Sequence, residues 1–164
     1  IINKWSIDFN SPSNNAIFSD IKIGKDTIRI YNIHLESFSF EKEIELSELN
    51  KNNEKIINDI SKTFIIQQKQ VELIKKSIKK SPYRVILSGD FNNTAFSYIY
   101  KEISQNLNDS YKEKGNGFGI TFNYNFIPLR IDFILSDKVF KINHFKTHNI
   151  NLSDHEPIFS QFTY

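Results

Sequence analysis

The sequence predicts an α/β protein with a mixed, mostly antiparallel sheet and covering helices. Residues 16–23 and 27–35 alternate apolar and polar around a Gly-Lys-Asp turn, the pattern of a β-hairpin. From about Asn53 to Lys79 the period changes to that of a helix, and short apolar runs of β character fill the second half of the chain.

In order, Ile1 to Phe9 alternates weakly, and the hairpin over 16–35 places Ile17, Ser19, Ile21 and Ile23 on one face. His34 then falls near the end of the second strand. Residues 36–52 are charged without an apolar face and read as a loop or insertion, so that 36–80 is a charged insertion plus a long helix. Ile57, Ile60, Phe64, Val71, Ile74 and Ile78 form the helical stripe, which Gln67 and Gln68 interrupt. Lys75, Lys76, Lys79 and Lys80 suit the negative end of the helix dipole, and Ser81-Pro82 ends the helix. Arg84 to Ser88 is a short strand of the doubly buried kind. Thr94 is placed to cap a short helix through about Ser104, and 112–119 reads as a glycine-rich loop. Strands are expected at 120–124, 129–135, 139–147 and 158–162.

Composition bounds the partners. The chain has 164 residues, enough for one domain with a core, and a net charge of only +2, which gives no strong bulk attraction to nucleic acid or anionic membrane. Cysteine is absent, which excludes disulfides and thiolate metal sites. No apolar run approaches the ~20 residues that span a bilayer. Neither composition nor any leader segment assigns a compartment. Methionine is also absent and the chain starts at Ile1, so a piece of a longer protein is expected.

Four peptides carry the chemistry: Asn32-Ile33-His34-Leu35, Gly89-Asp90-Phe91-Asn92, Arg130-Ile131-Asp132-Phe133 and Ser153-Asp154-His155-Glu156-Pro157. Each delivers polar side chains at an apolar, β-type run. Gly89 leaves room for a sharp turn, after which Asp90 offers a charge and Asn92 a donor and an acceptor. Asp132 is a carboxylate inside an apolar strand and needs a partner; His155 can be that partner. Asp154 is then free for a metal or its water. Each peptide alone also fits a bland role, a surface turn at Asp90–Asn93 or an ordinary imidazole at His34 and His155.

In this order the four peptides resemble the endonuclease/exonuclease/phosphatase superfamily, over about residues 16–162. The hairpin, the lysine-rich helix and Gly-Phe-Gly-Ile-Thr-Phe are similar to a deoxyribonuclease-like group from Bacteroidetes-type bacteria. The resemblance implies the C-terminal half of a four-layer α/β sandwich, so residues 1–164 would be a single partial domain. It implies that Asp90 and Asn92 flank the attacking water, that Asp132 orients the catalytic His155, that His34 is a second catalytic histidine and that Asp154 is metal-associated. It implies a Mg²⁺ cofactor, with Mn²⁺ possible, and a phosphate-ester substrate: DNA, a phospholipid head group or a small phosphodiester. The first half of such a domain supplies an Asn and the principal metal-ligand Glu. Glu36, Glu41 and Glu43 follow His34 and are out of order for that role. The missing half is therefore an expected partner, as is a second copy packed on an exposed sheet face. The rival expectation is a non-catalytic module that binds phosphate ligands or a protein. Phe38, Phe40, Phe118 and Phe126 stand in apparent loops where a lipid-directed enzyme would need aromatics.

Overall fold

The structure is a computed structural model that describes residues 1–38, 53–124, 127–150 and 152–164. Phe40, Glu41, Glu43 and Phe126, and most of the expected insertion, lie outside these residues.

Strands β1 (Asn3–Asp8), β2 (Asn15–Ile23) and β3 (Asp26–His34) form an antiparallel meander. Gly24, at φ 61°, makes the left-handed turn between β2 and β3 that a side chain disfavours. The chain then crosses over through α1 (Asn53–Lys79) and returns as β4 (Arg84–Asp90), parallel to β3. A parallel neighbour requires such a long crossover. After α2 (Tyr98–Ser104), β5 (Leu107–Asp109) and α3 (Ser110–Lys114), a small hairpin forms from β6 (Phe122–Tyr124) and β7 (Ile127–Leu129). Strand β8 (Asp132–Asp137) inserts antiparallel between β4 and β5, giving the order β1-β2-β3-β4-β8-β5. A last hairpin joins β9 (Lys141–Thr147) to β10 (Ile158–Thr163). The fold is thus the expected α/β class, with one parallel pair in an otherwise antiparallel sheet.

The main core lies between the sheet and helices α1 and α2. Phe18, Tyr31, Ile33, Leu87, Phe133 and Leu135 meet Val71 and Ile74 of α1 and Ile99, Tyr100 and Ile103 of α2. On the opposite face a smaller cluster of Ile28, Ile86 and Phe140 is joined by Phe162 of β10. Nearer β1 that second face is mixed in character, with Ser6, Ile17 and Asn32 opposite one another and exposed. Among the described residues no helix is long and apolar enough to cross a membrane.

Several local expectations change. The stripe on α1 is apolar only in its second half. Ile57 and Phe64 are exposed, and the buried positions of α1 before Val71 are the polar Thr63, Gln67 and Gln70. Burial follows hydrogen-bond partners here rather than hydropathy, because both glutamines bond to the chain at Glu36. Ser97, not Thr94, caps α2, its hydroxyl accepting from Tyr100 N–H at 3.0 Å. Residues 112–114 belong to α3, which Asp109 caps; a five-residue helix is too short to show a period. The strand expected at 129–135 divides into β7 and β8 around Arg130, whose guanidinium pairs with Asp109 at 2.9 Å and lies over the Tyr111 and Phe133 rings. Arg29 is buried, its guanidinium over the Phe18 ring and bound by both oxygens of Asp20.

Candidate active site

Strand register alone assembles most of the site. His34 ends β3 and is the parallel partner of Asp90, which ends β4. Asp90 is in turn the antiparallel partner of Asp132, which starts β8. Partnered residues face the same side of a sheet, so these three side chains form a row at one edge, on the face away from α1. His155 reaches the row from the segment before β10. That segment is held by an isolated bridge between His155 and Phe122 of β6 and by the Glu156 N–H, which donates to Thr121 O at 2.8 Å.

The distances separate two kinds of contact. His155 Nδ1 lies 2.9 Å from Asp132 Oδ2, a hydrogen bond. A carboxylate only accepts, so Nδ1 carries the proton and Nε2 points onward. His155 Nε2 is 3.9 Å from Asp90 Oδ2, and His34 Nε2 is 3.8 Å from the same oxygen. Both separations exceed hydrogen-bond length and suit an intervening oxygen. The Phe122 ring packs on the His155 imidazole with centroids 4.7 Å apart.

These surroundings shift two groups. Burial raises the Asp90 pKa, opposed by the Asn92 N–H and the two imidazoles and reinforced by the Asp132 charge. For His155, burial acts to lower the pKa, but the Asp132 hydrogen bond and the charges of Asp132, Asp90 and Asp154 outweigh it, and the net shift is upward. The two shifts have different causes: burial favours the neutral carboxyl of Asp90, while the neighbouring carboxylates favour the charged imidazole of His155.

Asn92 lies in the site in a supporting posture. Its backbone is left-handed, at φ 48°, and its main-chain N–H donates to Asp90 Oδ1 at 2.7 Å. Its carboxamide nitrogen donates one hydrogen to Leu35 O at 2.9 Å, leaving its second N–H and its carbonyl oxygen for a ligand. Asp154 is exposed and accepts from the Ser153 hydroxyl at 3.2 Å. It stands apart from the tight group of Asp90, Asp132 and His155, whose candidate ligand atoms lie within 4.8 Å of one another. Glu36 turns from the row to accept from Asn14 Nδ2 at 2.7 Å. His144 and His148 lie in or beside β9, outside the row.

Of two supporting residues, Thr121 has no signature in the sequence and Gly89 has a role other than the expected turn. Thr121, fully buried, accepts through its hydroxyl from both the Ile131 and Asp132 N–H groups, each at 3.1 Å. It thereby sets the start of β8. Gly89 is needed for a reason other than a turn. The strand runs on through it at φ 138°, and a Cβ there would lie 2.0 Å from Ile33 O on the neighbouring strand.

A sequence profile described as the endonuclease/exonuclease/phosphatase family matches residues 57–155, which includes Asp90, Asn92, Asp132, Asp154 and His155. The chain belongs to this family. Solved structures agree in fold. A family member from Bacteroides thetaiotaomicron superposes with a TM-score of 0.69 at 18% identity, over 99% of this chain and 64% of that one. A mannosyl-6-phosphatase from the same organism gives 0.64 at 19% identity, over 100% of this chain and 67% of that one. TDP2 from D. rerio, in complex with a single-strand DNA product, gives 0.68 at 16% identity, over 99% and 68%. The chain thus spans about two thirds of the length of these family structures. No curated protein sequence matches it significantly.

Proposed function

We propose that the intact protein is a divalent-metal-dependent phosphoester hydrolase that works by in-line attack of water on phosphorus. The observation that carries this proposal is the single Asp90 oxygen flanked by two imidazole nitrogens at 3.8 and 3.9 Å, one of them oriented by Asp132. Asp90, braced by the Asn92 N–H, orients the attacking water and takes its proton. His155, held by Asp132, and His34 face the charge that develops on the phosphoryl oxygens and supply a proton to the leaving group.

The donors present fit Mg²⁺ or Mn²⁺, which favour carboxylate oxygens. Asp154 is proposed to hold the ion or its water. The ion, when bound, neutralises charge on the phosphate. The Asp132 oxygen at 2.9 Å from His155 is already committed to orienting the ring. The remaining ligands, and the cover for the open face of β1–β3, are assigned to the rest of the domain or a second copy, so residues 1–164 alone are expected to be inactive.

The substrate is a phosphate ester: DNA, a phospholipid head group or a small phosphodiester. The test is a panel of plasmid DNA, sphingomyelin and inositol phosphates, offered to the intact protein with and without EDTA. Cleavage of one class, lost in EDTA and reduced by at least about a hundredfold in His155→Ala, is expected. Activity within a few-fold of wild type in that variant would overturn the assignment. Binding of these ligands without cleavage would make the chain a binding module.

A further inference from the structure

We infer that Gln67 is a positioning residue that sets the separation of His34 and Asp90 from inside the fold. Gln67 lies on the sheet side of α1 and is fully buried. An amide is costly to bury unless both its ends are bonded. Both are. Its Nε2 donates to Glu36 O at 2.6 Å, and its Oε1 accepts from Asn93 Nδ2, itself buried.

The two partners define the role. Glu36 lies two residues after His34, and Asn93 three after Asp90. One side chain therefore bridges the two peptides that carry the facing imidazole and carboxylate. Two other bonds cross the same gap, Leu35 N–H to Asp90 O at 3.0 Å and Asn92 Nδ2 to Leu35 O at 2.9 Å. Gln70, one helical turn on and equally buried, makes an informative contrast. Its Oε1 accepts from the Glu36 N–H at 2.9 Å and its Nε2 approaches the Glu36 carboxylate at 3.4 Å. Gln70 thus holds the peptide of His34 alone, while Gln67 holds both.

The bridge explains why a polar residue interrupts the stripe of α1. A leucine at 67 would fill the space but leave Glu36 O and Asn93 Nδ2 buried without that partner. It would also remove one of the ties between two strand ends whose reacting groups are held at a gap of nearly 4 Å. Misplacement of reacting groups by about 1 Å costs on the order of a hundredfold in rate.

The kinetic arm of the test rests on the hydrolase proposed above; the structural arm does not. Gln67→Met and Gln70→Met are made in the intact protein, each removing one buried amide. Both variants are expected to lose similar thermal stability. Exchange of the Leu35 amide, corrected for global unfolding, should quicken at least about tenfold in Gln67→Met and stay within about threefold in Gln70→Met. On a cleavable phosphodiester, Gln67→Met should lose about tenfold in kcat with KM within twofold, and Gln70→Met should keep kcat within threefold. Asn93→Ala, which cuts the bridge from the other side, should reproduce the Leu35 effect and serves if Gln67→Met fails to fold. Equal Leu35 exchange in the two glutamine variants would overturn the bridge. Faster exchange with unchanged kcat in an active enzyme would overturn the positioning role. A wild type that cleaves nothing would overturn the hydrolase reading, and the Leu35 comparison would still decide the bridge.

Discussion

Replacing Asp132 with Asn keeps the shape of the dyad and removes its charge. The contact at stake is the 2.9 Å hydrogen bond from His155 Nδ1, with the two side chains 31% and 17% exposed. Hydrogen bonds to charged groups contribute about 1.5–3 kcal/mol when well enclosed, and partial exposure brings the expectation here to about 1–2 kcal/mol. Each kcal/mol moves the melting point of a chain this size by roughly 2–4 °C. The pH dependence follows from the upward shift of His155. A group with a raised folded-state pKa stabilises fully below its unfolded pKa, and the contribution is lost as pH rises through the folded value. The stability gap between wild type and Asp132→Asn should therefore be widest below about pH 6.5 and narrow toward pH 8.5. Urea unfolding between pH 5 and 8.5, with the His155 ring followed by NMR, measures both. His155 should titrate at a lower pH in the variant. An equal stability gap across the range, with His155 titrating where it does in wild type, would refute the reasoning.

Other substitutions probe the frame around the dyad. Gly89→Ala places a methyl 2.0 Å from Ile33 O and 2.8 Å from Ile33 N, backbone atoms that cannot rotate away, and should destabilise by more than about 4 kcal/mol in urea titration. A soluble variant with the wild-type midpoint would show that β3 and β4 separate freely. Asn92→Ala should lose about 1–2 kcal/mol more than Asn92→Gly, since both lose the bond to Leu35 O but only alanine pays for φ 48°. Equal midpoints would remove strain from the account. Thr121→Val keeps shape and leaves the Ile131 and Asp132 N–H groups unmatched, for an expected loss of about 1–3 kcal/mol and faster exchange at both amides. Unchanged exchange would show that another acceptor holds the start of β8.

The hairpin, α1 and β4 were legible because period and punctuation agreed: Gly24 at the turn, Ser81-Pro82 after the helix, Gly89-Asp90 at the strand end. The pairing of Asp132 with His155 was legible from one physical rule, that a carboxylate among apolar residues needs a partner. The buried half of α1 was not. Hydropathy placed Ile57 and Phe64 inward, whereas the partners that draw in Gln67 and Gln70 sit 26 to 34 residues away in sequence. Thr121 escaped for the same reason, because its hydroxyl answers two amides ten and eleven residues on. The left-handed backbone of Asn92 and its bond to Leu35 O were not legible, because both are properties of the folded backbone.

The parallel pairing of β3 with β4 has a consequence for how the protein reaches this state. His34 and Asp90 meet only after the whole crossover between them has been closed, and such long-range contacts slow folding. The ends of that crossover are defined by β3 and β4, not by its length. Doubling a flexible connection costs only about 0.6 kcal/mol. A relative with a longer connection beyond Phe38 would therefore keep the spacing of His34 and Asp90, provided the bonds at Glu36 are kept.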